Sequence, residues 1–354
     1  MTGSDKPSID NLELIHGKYE VIDVRSPQEF TEFHYPGSIN VPLFSNKERA
    51  EVGTAYKQES PDKAKEIGLK LFSEKLPVFY EAVHSLMKES PNPIVITCAR
   101  GGMRSGAYVS LLNSLGFPVL QLEGGIRSLR QYVQGEIERL STIDWKAVVV
   151  GGNTGTRKTI WLEKLDAEGY PVLNLEMLAS HRGSIFGHIG MKKRSQKMFE
   201  WLLVEKMQQL ESHSYLIMEA ESKRIGPVII PEWLQSVKES GRFIELEDTM
   251  ESRVNYLLKE YEPELNEEAF AEALQKLTRL KPYTKEAVDQ ALLRNDYYTV
   301  FYRLLEEYYD PRYSHKPEDH IEKNNVLKLN ISGMNEKEVL TSLKNKIHSA
   351  VRKE

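Results

Sequence analysis

Short runs of mostly apolar residues recur along the first part of the chain, at residues 20–25, Ile94–Thr97, Val119–Leu122, 145–150, 171–176 and 215–219. Runs this short, bounded by turns, predict strands buried on both faces. Between them, apolar and polar positions mix at helical spacing. One helix opens at Pro27 with Ser26 as its N-cap, and others cover 61–88, 105–115, a segment ending near Ser141-Thr142, 160–167 and a segment ending near Glu211. Strands alternating with helices predict an α/β fold with a mainly parallel sheet, and ligands of such sheets sit at the carboxyl ends of strands. From residue 249 the pattern turns helical, at 251–261, 267–280, 285–294 and 297–308, with 308–313 as a helix exit. A late strand at 325–331 and a final helix from Glu336 complete it, and no internal repeat is visible.

Two strand ends carry chemistry. The run Ile94–Thr97 leads into Cys98-Ala99-Arg100-Gly101-Gly102-Met103-Arg104, and a helix follows. A thiol at a strand-to-helix turn has N–H groups converging on it and a positive helix end beneath it, and both favour thiolate. Gly101 and Gly102 let the backbone wrap close to the sulfur, and Arg100 and Arg104 add positive charge. A core cysteine would have apolar neighbours; this one is flanked by Gly and Arg, which favours a reactive thiol.

The second strand end is Gly151-Gly152-Asn153-Thr154-Gly155-Thr156-Arg157-Lys158-Thr159, after an apolar strand and before a helix. That is the context of a phosphate loop. N–H groups of residues 152–159 would cradle phosphate oxygens, Lys158 would neutralise them, and Thr159 would suit a magnesium ion. Arg157 stands where the motif has its second glycine. Glycine serves there either for backbone conformation or for close approach, so an arginine either obstructs phosphate or adds a contact to it.

Downstream, residues 178–184 are too polar and glycine-bearing for a core and form a candidate active-site loop with His181 and Arg182. Basic residues gather at Lys192, Lys193 and Arg194 and again at Lys223 and Arg224; a solvated face and an RNA-phosphate contact both account for them. The apolar strand at 215–219 ends in Glu219, with Glu221 close behind. Either acid would suit a metal ion or orient a nucleophile, and salt bridges to Lys223 and Arg224 are the other reading. Aromatics at 308–313 suit core packing or base stacking.

Composition narrows the setting. One cysteine in 354 residues excludes an intramolecular disulfide, and no Cys/His cluster has zinc spacing. No stretch reaches membrane-spanning length and the N-terminus lacks an apolar leader, so a cytoplasmic protein with a free thiol and no membrane partner is expected. A net charge of −5 argues against coating with nucleic acid, while leaving room for a local basic groove.

Several motifs carry a resemblance. Asp23-Val24-Arg25, the turn-strand at 36–42, the Cys98 loop and Glu123-Gly124-Gly125 resemble the rhodanese (sulfurtransferase) domain, in which the loop cysteine carries a persulfide. Five residues separate Cys98 from Arg104, which also fits the Cys-loop-Arg of phosphatases sharing that fold. Asp23 and Arg25 are expected to form a buried ion pair bracing the strand end. Joined to the phosphate loop, residues 49–57, 175–184, 219–226 and Tyr308-Tyr309-Asp310-Pro311-Arg312-Tyr313, the whole resembles the bacterial tRNA 2-selenouridine synthase family. The resemblance implies a rhodanese-like domain at 1–140 and a P-loop NTPase-like α/β domain with a helical C-terminal part at 141–354. It implies transfer of a geranyl group from geranyl diphosphate to wobble 2-thiouridine of tRNA, then replacement of the S-geranyl group by selenium from selenophosphate. Neither substrate is a tightly bound cofactor, and an enzyme supplying selenophosphate is an expected partner. Two rival readings are a persulfide-carrying rhodanese fused to an NTP-driven kinase or ATPase, and a tRNA-binding module whose phosphate loop is disabled by Arg157.

Overall fold

The computed structural model describes residues 7–277, 280–314 and 326–352, and the chain divides into two compact units, Met1–Glu138 and Arg139–Glu354. In the first, strands β1 (Ser8–Ile9), β2 (Glu20–Asp23), β3 (Ile39–Asn40), β4 (Ile94–Thr97) and β5 (Val119–Leu122) form a sheet in the order β1-β5-β4-β2-β3. All its pairings are parallel, with Glu20 opposite Ile94 and Asp23 opposite Thr97 in the centre. The short apolar runs are therefore strands because neighbouring strands and helices cover them. Ile22, Val24, Ile94, Ile96, Val109 and Leu112 are buried together, and Phe79 stacks on Tyr108.

Ser26 caps the helix Pro27–Glu32 as expected, and Glu29 reaches back to the Ser26 N–H to complete a capping box. A helix the hydrophobic pattern did not announce, Asn46–Gln58, has the same device in Ser45 and Glu48. Its apolar content is too low for a clear stripe, so the cap was its main signal in the sequence. The long helix Pro61–Glu89 and the helices Met103–Ser114 and Gly125–Ser141 follow the predicted spans closely.

In the second unit, β6 (Ala147–Gly152), β7 (Val172–Leu173), β8 (Leu216–Glu219), β11 (Arg242–Glu247) and β12 (Val326–Asn330) form a parallel sheet ordered β12-β11-β6-β8-β7. A small antiparallel pair, β9 (Arg224–Ile225) and β10 (Val228–Ile229), stands apart from it. Two elements differ from expectation. The strand expected over 171–176 stops at Leu173, because the Asn174 side chain accepts the Met177 N–H at 2.8 Å and starts the helix Leu175–Ala179. Conversely β11, with the sequence Arg-Phe-Ile-Glu-Leu-Glu, was not apparent: its charged residues interrupt the apolar run, although Ile244 and Leu246 are fully buried.

The helical C-terminal part packs around Phe186, Tyr261, Phe270, Phe301 and Leu304. Helices Met250–Tyr261, Glu267–Gln275, Pro282–Leu292 and Tyr297–Leu304 account for it. The expected exit at 308–313 is instead a continuation, through a wide π turn at Leu305–Tyr309 into the helix Asp310–Ser314. Pro311 has no N–H to donate, and a change of helical register just before it lets the chain stay coiled. Residues 278 and 279 of the expected helix at 267–280, and Asn325 of the expected late strand, lie outside the described residues.

Candidate active sites

In the first unit Cys98 follows the central strand β4, and the loop after it folds over the sulfur. Cys98 is 2% exposed, and the Ser105 hydroxyl donates to Sγ at 3.1 Å. The N–H groups of Arg100, Ser105 and Gly102 also point at the sulfur. Burial pushes the thiol up, but the Ser105 hydroxyl and these N–H groups outweigh it, and the thiol is held below its ordinary value. Gly125 makes the loop possible. Its φ is +59°, and a Cβ there would lie 2.2 Å from the Cys98 carbonyl oxygen, so only glycine lets the next helix approach this closely. From that helix the N–H groups of Ile126 and Arg127 donate to the carbonyls of Cys98 and Ala99.

Of the two loop arginines, Arg100 is exposed, while Arg104 donates to Glu29 at 3.1 Å. Burial pushes the Glu29 carboxyl up, but Arg104, the Ser26 N–H and Arg49 together outweigh it and hold the group below its usual range. The Asp23–Arg25 pair is buried at 2.6 Å, and Arg25 also donates to the Phe33 carbonyl, so the pair braces the end of β2. Gln121 on β5, which the sequence did not single out, donates to the carbonyls of Gly101 (2.7 Å) and Gly102 (3.1 Å) and to the Ser105 hydroxyl (2.9 Å).

In the second unit β6 runs into the loop at 152–157 and the helix Lys158–Ala167 starts immediately after. Lys158 Nζ donates to the carbonyls of Gly152 (2.7 Å) and Asn153 (3.4 Å), and Thr156 Oγ1 donates to the Asn153 carbonyl at 2.8 Å. Arg157 adopts the left-handed conformation, φ +62°, ψ 27°, which is the conformation that favours glycine at this position. Its side chain turns aside: Nη2 donates to the buried Asp248 carboxylate at 2.6 Å and to Ser252 at 3.2 Å, and the guanidinium lies 5.7 Å from the Trp161 ring centre. Arg253 ties the same loop to the helical part, donating to the Thr154 carbonyl at 2.8 Å and gripping Asp310 with two bonds. The Asp310 of the tyrosine-rich segment thus serves the loop, while Tyr309 is buried and Arg312 covers the Tyr308 ring.

The phosphate loop opens on a cleft of about 390 Å³. Thr154, Gly155, Arg157, Lys158 and Thr159 line it together with the apolar and aromatic Ile160, Met177, Met191, Leu257, Tyr256, Tyr261 and Tyr309 and the charged Glu163, Arg182, Arg194 and Glu260. Glu176 and Glu221 lie beside the loop. Thr159 donates to Glu176 at 2.5 Å, and a Cβ on Gly183 would meet Glu176 Oε1 at 2.7 Å and Glu221 Oε2 at 2.8 Å, so both carboxylates crowd the same point. Burial first, and the Glu221 charge second, push the Glu176 carboxyl up to about 7. Glu176 was not among the expected site residues; it hides in a segment read as strand. Glu219 is fully buried and accepts the Leu175 N–H at 2.9 Å, its carboxyl raised well above the usual range by burial and by Glu176. It therefore braces the start of the helix Leu175–Ala179, and Glu221 is the acid of the two that faces the cleft.

Of the two expected loop residues, Arg182 lines the same cleft and His181 does not. Arg182 pairs with Glu260 at 2.5 Å, donates to the Ile189 carbonyl and lies over the Tyr261 ring. His181 Nδ1 accepts the Gly183 N–H at 3.2 Å, and burial, followed by His188, holds the imidazole below its ordinary value. Arg194 donates to the carbonyls of Met177 and Leu178. Lys192, Lys193 and Arg224 are exposed, and Lys223 stands 3.8 Å from Glu232.

This pairing of a cysteine loop and a phosphate loop has counterparts among known proteins. A family model described as the tRNA 2-selenouridine synthase AAA domain matches residues 145–290, and one described as the rhodanese-like domain matches residues 9–132. The chain belongs to the tRNA 2-selenouridine synthase family. The two units are accordingly a rhodanese domain and a P-loop-like AAA domain with a helical C-terminal part. The family modifies tRNA, which makes the chain a tRNA-modifying enzyme with tRNA as substrate.

Among solved structures, the N-terminal domain of a Clostridium difficile 630 protein, named for ATP/GTP binding, is 42% identical, with a TM-score of 0.34 over 36% of this chain and 98% of its own. The tRNA isopentenylpyrophosphate transferase of Bacillus halodurans is 11% identical, with a TM-score of 0.33 over 58% of this chain and 96% of its own. A Thermus thermophilus protein is 15% identical, with a TM-score of 0.27 over 58% and 97%. Among the described residues, no helix is long and apolar enough to cross a membrane.

Proposed function

We propose that this chain converts wobble 2-thiouridine of tRNA into 2-selenouridine in two transfers, geranylation with geranyl diphosphate and then exchange of the S-geranyl group for selenium from selenophosphate. The observation that carries the reading is the cleft of the second unit, where a phosphate loop faces a wall of methionine, leucine, isoleucine and tyrosine side chains. A prenyl diphosphate asks for that pairing of an anion cradle with an apolar slot.

In the first transfer the thiocarbonyl sulfur attacks C1 of the geranyl group and the C1–O bond breaks, its electron pair leaving with diphosphate. The loop N–H groups and Lys158 stabilise the charge that develops on the leaving oxygen. Lys158 now donates to loop carbonyls, so it changes partners when the anion arrives. Arg157 keeps a glycine-like backbone and ties its guanidinium to Asp248, while still contributing to the lining of the cleft. A magnesium ion accompanying the diphosphate would rest on Thr159, with Glu176 and Glu221 at hand; these are oxygen donors of the kind that ion prefers.

Alkylation turns a poor leaving group into a better one. In the second transfer the Cys98 thiolate adds to C2 of the base and geranyl thiolate leaves; the selenium of selenophosphate then attacks C2 and releases the Cys98 thiolate, and water cleaves the Se–P bond, carrying the phosphoryl group away as phosphate. The sulfur's cradle of N–H groups and hydroxyl suits a group that must be anionic to react. The test is mass spectrometry of nucleosides from 2-thiouridine tRNA incubated with geranyl diphosphate, with selenophosphate in a second reaction. The expected products are geranylated and then selenated uridine, with Cys98→Ser stopping at the first. ATP hydrolysis with no geranylated nucleoside would replace this reading with the NTP-driven one.

A further inference from the structure

The Cys98 cradle contains a second tier. Ser105 is fully buried and its single O–H can point to only one acceptor at a time. Its oxygen lies 3.1 Å from Cys98 Sγ and 2.9 Å from Gln121 Nε2. A carboxamide nitrogen only donates, so the Gln121 contact occupies a lone pair of Ser105 and leaves the hydroxyl proton for the sulfur. The carboxamide is itself oriented, since its two hydrogens are shared among the Ser105 hydroxyl and the carbonyls of Gly101 and Gly102, from the loop whose N–H groups face the sulfur. Gln121 stands on β5 opposite Ile96 of β4, which ends just before Cys98, so sheet pairing holds its backbone in register with the loop.

We propose that Gln121 is a positioning residue that acts through Ser105, turning the Ser105 hydroxyl toward Cys98 and so keeping the sulfur in its anionic, nucleophilic form. The inference rests on the reading of Cys98 as nucleophile but is measurable without it, because Cys98 is the single cysteine of the chain. The titratable and charged groups on elements packed around it are the Asp23–Arg25 pair on β2, the Glu29–Arg104 pair, Arg100 in the loop, Tyr108 on the helix Met103–Ser114, and Glu123 and Arg127 beyond β5. Variants at Gln121 alter none of these.

The experiment follows thiolate absorbance of the full-length protein against pH, with Cys98→Ser as blank. Ser105→Ala is expected to raise the midpoint by about one pH unit, a tenfold loss of thiolate below the midpoint. Gln121→Met, similar in length but without donors, is expected to raise it comparably. The double variant should shift no further than the larger single one, because without the hydroxyl there is nothing left to orient. Gln121→Glu, which accepts a hydrogen bond and adds charge, should raise the midpoint most. It also serves as the second variant should the methionine not fold.

An unmoved midpoint in folded Gln121→Met or Gln121→Glu would overturn the inference, and so would additive shifts in the double variant. Failure of the functional reading looks different: the Gln121 shifts would stand while Cys98→Ser still yields selenated uridine.

Discussion

The two glycine-rich loops solve the same geometric problem for different occupants. Each follows a central parallel strand and each precedes a helix, and in the rhodanese loop the N–H groups of Arg100, Gly102 and Ser105 turn toward one point. In the rhodanese loop that point is already filled by the protein's own sulfur, which is buried and hydrogen-bonded. In the phosphate loop it is a cleft, and Lys158 bonds to loop carbonyls in the meantime. A loop that holds an internal atom can be rigid and closed, because its ligand never leaves. On the proposed reading the second loop admits a diphosphate, and such a loop needs groups that can change partners. The supporting contacts agree: helix N–H groups and Gln121 clamp the cysteine loop through its own carbonyls, whereas the phosphate loop hangs from the salt-bridged side chains of Arg157 and Arg253.

If the loops work separately, the largest effects should separate too. Lys158→Ala is expected to lower geranylation about 10³-fold, in the range for removing one group that stabilises transition-state charge. The thiolate titration of Cys98 in that variant should match the parent, and a shifted titration would show that the loops are energetically joined.

Rigidity gives the next contrast. Gly125→Ala places a methyl group against the Cys98 carbonyl at positive φ, and neither backbone can yield. A loss on the order of 3 kcal/mol in denaturant unfolding is expected. Gly183→Ala, also at positive φ, meets first the carboxylate ends of Glu176 and Glu221. A loss of about 1–2 kcal/mol is expected there, the carboxylates moving aside, and diphosphate binding should suffer more than the fold does. Equal losses would erase the distinction between a closed cradle and a yielding one.

The smallest effect concerns Arg157. Arg157→Ala and Arg157→Gly both remove the pairing with Asp248, but only glycine relieves the left-handed backbone. The alanine variant should be less stable than the glycine variant by about 1 kcal/mol. If the two are equal, the conformation of residue 157 is not what glycine supplies at this place in the motif.

Much of this was legible from residue order alone. Apolar run, glycine turn and helix are local patterns, and they located the parallel sheets, Cys98, the phosphate loop and the capped helix at Pro27. The buried Asp23–Arg25 pair was also readable, being two residues at one strand end. Other features were concealed by context. β11 alternates charge with apolar residues and is buried because β6 and β12 flank it, and Glu176 sits in a segment that looks extended until Asn174 caps a helix there. Arg157 was visible as a departure, but whether it faces phosphate or Asp248 depends on a partner 91 positions away.

What the sequence by itself determined is therefore whatever depends on neighbours along the chain: which residues form strands and helices, where the cysteine loop and the glycine-rich loop begin, and which family they belong to. What only the tertiary structure decided is direction. It set which way Arg157, Arg104 and Glu219 turn, which acids gather beside Thr159, and that Gln121 stands behind Ser105. A side chain's orientation is fixed by partners brought together from distant parts of the chain, and in a densely packed, low-dielectric interior each buried polar group takes the partner that satisfies it.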